Sequence, residues 1–247
     1  MSIANNFKTL TFLSLLTLGL TACGQIGSRT AAGDKTPTSN SKASDPSTPA
    51  QAALLASGDP QAVVTNARQS LTSQKAYRVR STSVVSIGGG QTTTSVREFV
   101  APDRTHNIED GREVITIGKI MYVKKDGAWQ NLGTQMSDMA EKMKERVQQL
   151  SPEEKAEATK GLSVGDYKSL GDEMLDGVPT AVYEMHSQFD TKVQGVGSIV
   201  MSTKFWIGKS DGLFHKEESD GVEAGMKIKT TKTYEYDPNI TIEAPIP

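Results

Sequence analysis

Asp-Gly recurs beyond residue 100 of this chain, at Asp110-Gly111, Asp126-Gly127, Asp176-Gly177, Asp211-Gly212 and Asp220-Gly221. Between these pairs lie short runs rich in Val, Ile, Thr and aromatic residues. Asp-Gly supplies the two positive φ angles that a type I′ turn requires, so the dipeptide between β-rich runs marks a hairpin. The runs place strands near 77–87, 91–101, 104–109, 112–117, 120–125, 128–132, 168–175, 178–189, 197–207, 213–219 and 225–236, with Gly88-Gly89-Gly90 as the first turn. Connections this short join antiparallel neighbours. The expected fold is therefore α+β, an antiparallel meander of about eleven strands with a few helices.

Two stretches carry helical spacing instead. Asp59 is placed as an N-cap with Pro60 as the first helical residue, and Val63, Val64, Ala67 and Leu71 then form one apolar stripe. This helix is expected to end near Gln74. From Thr134 to Lys160 the β-branched runs stop, and Met136, Met139, Met143, Val147 and Leu150 fall on one helix face. Ser151-Pro152-Glu153-Glu154 then opens a short helix, with Ser151 and Glu154 as a capping box. Core packing would account for the methionines. Methionine is also the adaptable apolar residue used where a surface accommodates varied partners, which suggests a lid over something apolar.

The late strands alternate strictly. Ala181, Tyr183, Met185 and Phe189 share one face with Ile199, Met201, Phe205, Ile207, Met226, Ile228, Tyr234 and Tyr236. Glu184, His186, Gln188, Lys204, Lys227, Lys229 and Glu235 fall on the other face and read as solvated. Few helices cover so wide an apolar face, so part of it is expected to enclose a cavity. The candidate lining residues are Met136, Met139, Met143 and Val147 on the helix. On the strands they are Tyr183, Met185, Phe189, Ile199, Met201, Phe205 and Ile207.

The N-terminus addresses location. Lys8 precedes an apolar run from Leu10 to Leu20, and Leu20-Thr21-Ala22-Cys23 follows. Basic start, apolar middle and small residues at the cut are the layout of a signal peptide. Leu-Thr-Ala-Cys resembles the lipobox of bacterial lipoproteins, which implies that the chain's one cysteine is acylated and becomes the mature N-terminus. The segments expected are a signal peptide over 1–22, Cys23 with a flexible tether over 23–57, and one folded domain over 58–247. The tether is rich in Ser, Thr, Ala, Pro and Gly. Such a chain has a root-mean-square reach of roughly 30 Å. The lipobox implies a cell-envelope protein on the outer side of the cytoplasmic membrane or in the outer membrane.

Catalytic chemistry finds no support in these residues. His106, His186 and His215 lie far apart, with no metal-ligand spacing. Gly208-Lys209-Ser210 ends like a phosphate-binding loop, but Thr203 stands where the first glycine is needed and a turn follows the lysine. Gly195-Val196-Gly197 precedes a strand rather than a helix. Gly-x-Ser-x-Gly is absent. Glu153-Glu154, Glu173 and Glu217-Glu218 read as solubilising carboxylates. A net charge of −2 gives no field for nucleic acid. No cofactor and no metal are expected, and a monomer is.

Tyr77-Arg78-Val79, Ala101-Pro102-Asp103-Arg104, Ile117-Gly118-Lys119-Ile120-Met121-Tyr122-Val123 with Trp129, Phe205-Trp206-Ile207-Gly208 with Asp211-Gly212-Leu213, and Tyr234-Glu235-Tyr236 occur in this order. Together they resemble the LolA/LolB lipoprotein-carrier superfamily, its LppX-type lipoproteins included, over about residues 59–245. The resemblance implies a strongly curved half-barrel with helices on its concave side and an apolar cavity for acyl chains. Soluble carriers of that superfamily lack a lipobox, so an anchored acceptor or carrier of lipid or acylated protein is the reading that fits. The alternative is an envelope lipoprotein that binds a protein partner and no lipid.

Overall fold

The computed structural model describes residues 58–86, 90–154, 162–190, 198–223 and 225–246. The expected signal peptide, Cys23, the tether and most of the first glycine turn lie outside the described residues. Eleven strands form one open antiparallel sheet. They are β1 (Ala76–Ser86), β2 (Gln91–Val100), β3 (Arg104–Glu109), β4 (Arg112–Ile117), β5 (Ile120–Lys125), β6 (Ala128–Gly133), β7 (Leu162–Leu175), β8 (Val178–Asp190), β9 (Ser198–Gly208), β10 (Phe214–Glu223) and β11 (Met226–Glu235). Their order is β6-β5-β4-β3-β2-β1-β11-β10-β9-β8-β7. Two meanders, β1–β6 and β7–β11, therefore join where β1 pairs with β11, and β6 and β7 are left as edges.

Three of the Asp-Gly pairs make the expected turns. The φ angles are 45° and 80° at Asp110-Gly111, 52° and 81° at Asp126-Gly127, and 50° and 85° at Asp176-Gly177. Asp211-Gly212 sits in a longer connection, where Asp211 Oδ1 accepts from the Leu213 amide at 2.9 Å and Gly212 has φ 66°. Asp220-Gly221 corrects the sequence reading. β10 runs straight through it, with Gly221 opposite Met201 and Ile228, and the chain reverses beyond Glu223, where Gly225 has φ 79°. β7 also begins at Leu162 rather than near 168. Register shifts between Val164 and Tyr167 and between Ser169 and Gly171 break its alternation, as bulges on an edge strand do.

The helix ahead of β1 is α1 (Pro60–Thr72), which ends two residues before the expected Gln74. Asp59 caps it, Oδ1 accepting from the amides of Gln61 at 3.0 Å and Ala62 at 3.3 Å. Val63, Val64 and Ala67 are buried against Ala181, Tyr183, Phe205, Ile207 and Phe214. This is the main core, and it lies at one end of the face that carries Tyr183 and Phe205, here called the inner face. The opposite, outer face has its own smaller core. There the C-terminal residues 237–246 bring Ile242 onto Ile115 and Tyr122, and Arg104 Nη1 donates to the Ile242 carbonyl at 2.7 Å.

Curvature follows from how the strands are exposed beyond α1. On β1, Ser81, Ser83 and Val85 of the inner face are half-buried, while Arg80, Thr82, Val84 and Ser86 of the outer face are exposed. On β11, Met226, Ile228 and Thr230 are half-buried and Lys227 and Lys229 exposed. The helix α1 contacts β7, β9 and β10. Shelter on one face with no described helix above it is the mark of a sheet wrapped around that face, the result expected when twist accumulates over many strands. The structure is the curved half-barrel that the resemblance implies.

Between β6 and β7 lies α2 (Gln135–Gln149). Its successor opens with the anticipated capping box, Ser151 N donating to Glu154 Oε2 at 2.8 Å and Glu154 N to Ser151 Oγ at 3.1 Å. No helix among the described residues is long and apolar enough to cross a membrane.

Candidate functional site

The inner face divides into three bands along the strands. At the α1 end the predicted lining residues Tyr183, Phe205 and Ile207 are core: they are buried under α1 with Phe214, whose ring centre lies 5.7 Å from that of Phe205 and 5.8 Å from that of Tyr234. Met185 packs against the same cluster.

The middle band is polar. Registers align Met185, Thr203, Ser219, Thr230, Ser83 and Thr93 across six strands. Thr203 and Ser219 hydroxyls bond each other at 3.0 Å, as do those of Ser83 and Thr230 at 2.9 Å. Each pair uses one hydroxyl proton and so meets part of the hydrogen-bonding need of these groups on the sheet itself. Beside them Glu217 accepts from Tyr234 Oη at 2.6 Å and from Lys232 Nζ at 3.2 Å. Burial, and then the neighbouring Glu217 carboxylate, push the Tyr234 hydroxyl far above the ordinary tyrosine value. The sequence reads Glu217 as a solubilising carboxylate, but its side chain is 13% exposed and both oxygens are engaged. Glu173 likewise has a partner, accepting from Trp206 Nε1 at 2.8 Å.

The far band is apolar again. Ile199 and Met201 on β9, Ile228 and Met226 on β11 and Val85 on β1 are half-buried. The Phe189 side chain lies outside the described residues. Measured along β9 from Phe205 to Ile199, the bands span about 20 Å at the usual strand rise.

The helix α2 is not part of this surface. Met136, Met139, Met143 and Val147 are 45, 61, 63 and 56% exposed, and α2 buries no residue. It is held to the β4–β5 turn by its polar side, through Ser137 Oγ donating to the Lys119 carbonyl at 2.7 Å and a Lys119–Glu141 ion pair at 2.9 Å.

The outer face carries a line of charges that a strand-by-strand reading of the sequence misses. Arg78 binds Glu235 at 2.9 Å and Glu98 at 2.6 Å; His106 touches Glu98 at 3.1 Å through Nδ1 and Glu113 at 3.0 Å through Nε2; Lys124 closes on Glu113 at 2.8 Å. These residues come from six adjacent strands, β11 and β1 to β5. Burial alone would raise the Glu98 carboxyl, but hydrogen bonds and charge from Arg78 and His106 outweigh it and hold the group below its ordinary value. The hydrogen bond from Lys124 lowers Glu113, aided by His106 against a smaller cost of burial. Arg78, His106 and Lys124 occupy the carboxylate oxygens of Glu98 and Glu113, so the arrangement is a charge ladder. His215 pairs with Asp211 at 3.1 Å and His186 with Glu184 at 3.3 Å. An open groove of about 370 Å³ also crosses the outer side, with His186, Val200, Asp220, Val222 and Lys227 among its walls.

The chain matches no protein-family model and no curated protein sequence. Its structure is similar to the crystal structure of the lipoprotein LppX from Mycobacterium tuberculosis, at TM-score 0.47 and 12% identity, over 78% of this chain and 98% of that one. LprF from Mycobacterium bovis gives 0.46 and 13%, over 75% and 96%. A LolA superfamily protein from Nitrosomonas europaea gives 0.28 and 11%, over 72% and 91%.

Proposed function

We propose that this chain is an envelope lipoprotein, anchored through an acylated Cys23, that binds acyl chains of a lipid or an acylated protein on the inner face of its half-barrel and catalyses no reaction. One observation carries the reading: the inner face beyond α1 is sheltered yet has no described helix upon it. Met201, Ile199, Ile228, Met226 and Val85 are half-buried there. A surface of that kind excludes part of its water without filling the space, and each methylene that takes the place of the remainder gains about 0.8 kcal/mol. The hydroxyls of the middle band meet part of their hydrogen-bonding need by pairing, which lowers the cost of laying hydrocarbon across them. The direct test is native mass spectrometry of the protein purified from membranes, with titration of a fluorescent fatty acid. Co-purified lipid and saturable binding are expected. Absence of both overturns the reading and leaves an interaction lipoprotein with a protein partner.

A further inference from the structure

The orientation of α2 runs against the rule for helices on globular domains. Such helices turn their apolar stripe inward and their charges to solvent. Here the polar side is fastened to the sheet and the apolar stripe faces outward: Ser137 and Glu141 bind Lys119, while Met136, Met139, Met143 and Val147 are about half exposed or more. Leu132, at the end of β6 just before the helix, is exposed at 40% as well.

The charges around the stripe are sorted by position. At about 100° per residue, Lys142 and Lys144 fall about 100° to either side of Met143, and Arg146 about 60° from it. The acidic residues fall opposite: Glu141 and Glu145 lie about 160° from Met143 and Asp138 about 140°. Cations bordering an apolar stripe, with anions on the far side, match an anionic lipid interface. The apolar side chains enter the acyl boundary while the flanking Lys and Arg reach the phosphates. A protein partner would not require this ordering of sign. Of the acidic residues that the register places on the inner face of the same sheet, Glu217 already has Tyr234 and Lys232 as partners and Asp172 has Lys209.

The length of chain outside the described residues supplies the second argument. If residues 23–57 are the tether that their composition suggests, a chain of that length reaches roughly 30–36 Å on average, and an acylated Cys23 then keeps the domain close to a bilayer. We infer that α2 is a surface-docking helix, which lies in the headgroup region of an anionic membrane with Met136, Met139, Met143 and Val147 in the acyl boundary. The inference rests on the anchored-lipoprotein reading, and not on acyl binding by the half-barrel. It gives the domain a fixed posture at the membrane, with the β6 edge of the sheet next to the lipid.

The test adds one tryptophan on each side of α2, Met143→Trp or Glu145→Trp, in the full chain, and reads each as the difference from the wild type, whose Trp129 and Trp206 set the background. Each protein is reconstituted into phosphatidylcholine vesicles containing phosphatidylglycerol and a doxyl-labelled lipid quencher. Both positions are exposed, so both variants are expected to fold, which far-ultraviolet circular dichroism checks. The expected result is quenching at position 143 at least about twofold stronger than at 145, weakened when phosphatidylglycerol is left out. Equal quenching at both positions overturns the inference. So does a position-143 fluorophore shielded from the lipid quencher but blue-shifted, which means that the stripe packs on the sheet or on a second copy. Fatty-acid titration of the same samples separates the two proposals: quenching without acyl binding sinks the carrier reading alone, and acyl binding without quenching sinks the docking helix alone.

Discussion

Tyr234 and Glu217 meet across β11 and β10 on the inner face, the phenol donating to Glu217 Oε1 at 2.6 Å. The pair lies where the α1 core gives way to the open part of the concavity. Lys232 holds the other carboxylate oxygen at 3.2 Å, so Glu217 is fully engaged although its side chain is largely out of water. Removing one partner of a buried charged acceptor costs more than the bond contributes, because the carboxylate loses solvation without regaining water. Tyr234→Phe is therefore expected to lower stability by about 1.5–3 kcal/mol, since the bond is to a charged group. Urea unfolding should show a lower midpoint with an unchanged slope. A loss under about 0.5 kcal/mol means that water replaces the hydroxyl and the site is wetter than the structure indicates.

Local signals in the chain are legible because local physics fixes them. Asp126-Gly127 forms its turn since the turn needs positive φ at both positions and these two residues tolerate it, and Asp59 caps α1 because its side chain reaches two free amides. Asp220-Gly221 has the same letters and makes no turn. There the ladder partners Met201 and Ile228 decide the conformation, and both are distant in sequence or set by the strand as a whole. The β1–β11 junction is equally invisible to a local reading, since it pairs the first strand with the last. Glu217 and Lys232 are hidden for another reason: alternation assigns charges outward, whereas a pair of opposite charges can share an inward face. The Glu98–His106 contact is within reach of the sequence, because the turn at Ala101-Pro102 sets a register in which those two residues are opposed. For the Met stripe, the sequence shows that α2 is amphipathic. What the apolar side faces depends on Lys119, which binds the polar side and turns the methionines outward.

Gly221 tests the strand assignment directly. A Cβ there would lie 2.7 Å from the Val200 carbonyl oxygen and 3.3 Å from the Met201 Cα, both backbone atoms that the ladder holds in place. Gly127 is the comparison: its φ is +81° and nothing lies within 4 Å of an added methyl, so alanine there suffers only the left-handed backbone penalty. Gly127→Ala is expected to cost about 1–2 kcal/mol. Gly221→Ala should cost more, up to about 3 kcal/mol, because β9 and β10 must separate. If Gly221→Ala is the milder change in thermal unfolding, the β10 ladder past Asp220 is incorrect.

The charge ladder gives stability a pH dependence of definite sign. Glu98 and Glu113 titrate lower in the folded protein than in the unfolded chain, whose carboxyls keep the ordinary value of 4.5. Above about pH 4.5 both states are ionised and the full contribution is present. As the pH falls, the unfolded chain takes up protons first, so stability declines until the folded carboxyls are also protonated. The urea midpoint of the wild type is expected to fall steadily below about pH 4.5. Glu98→Gln should begin lower at neutral pH and fall less steeply, since one of the two linked protons is gone. Parallel profiles for the two proteins would show that the ladder contributes nothing to acid sensitivity, as is common for exposed pairs.

Neighbouring residues on β9 provide the sharpest functional test, because they point to opposite faces. Met201 is half-buried on the inner face and Val200 is 51% exposed on the outer face. A carboxylate in place of Met201 would meet any bound hydrocarbon without a counter-ion, and an unpaired charge in contact with hydrocarbon is costly. The same group in place of Val200 meets water. Met201→Glu is therefore expected to weaken fluorescent fatty-acid binding at least about tenfold, equivalent to about 1.4 kcal/mol, while Val200→Glu leaves it within about twofold. Both variants must still unfold cooperatively, so that lost binding reports the site and not a damaged sheet. If both bind as the wild type does, the acyl chain lies elsewhere and the inner face beyond α1 is not the site. If Val200→Glu is the one that loses binding, the ligand occupies the outer groove beside His186 and Val222, and the assignment of faces is reversed.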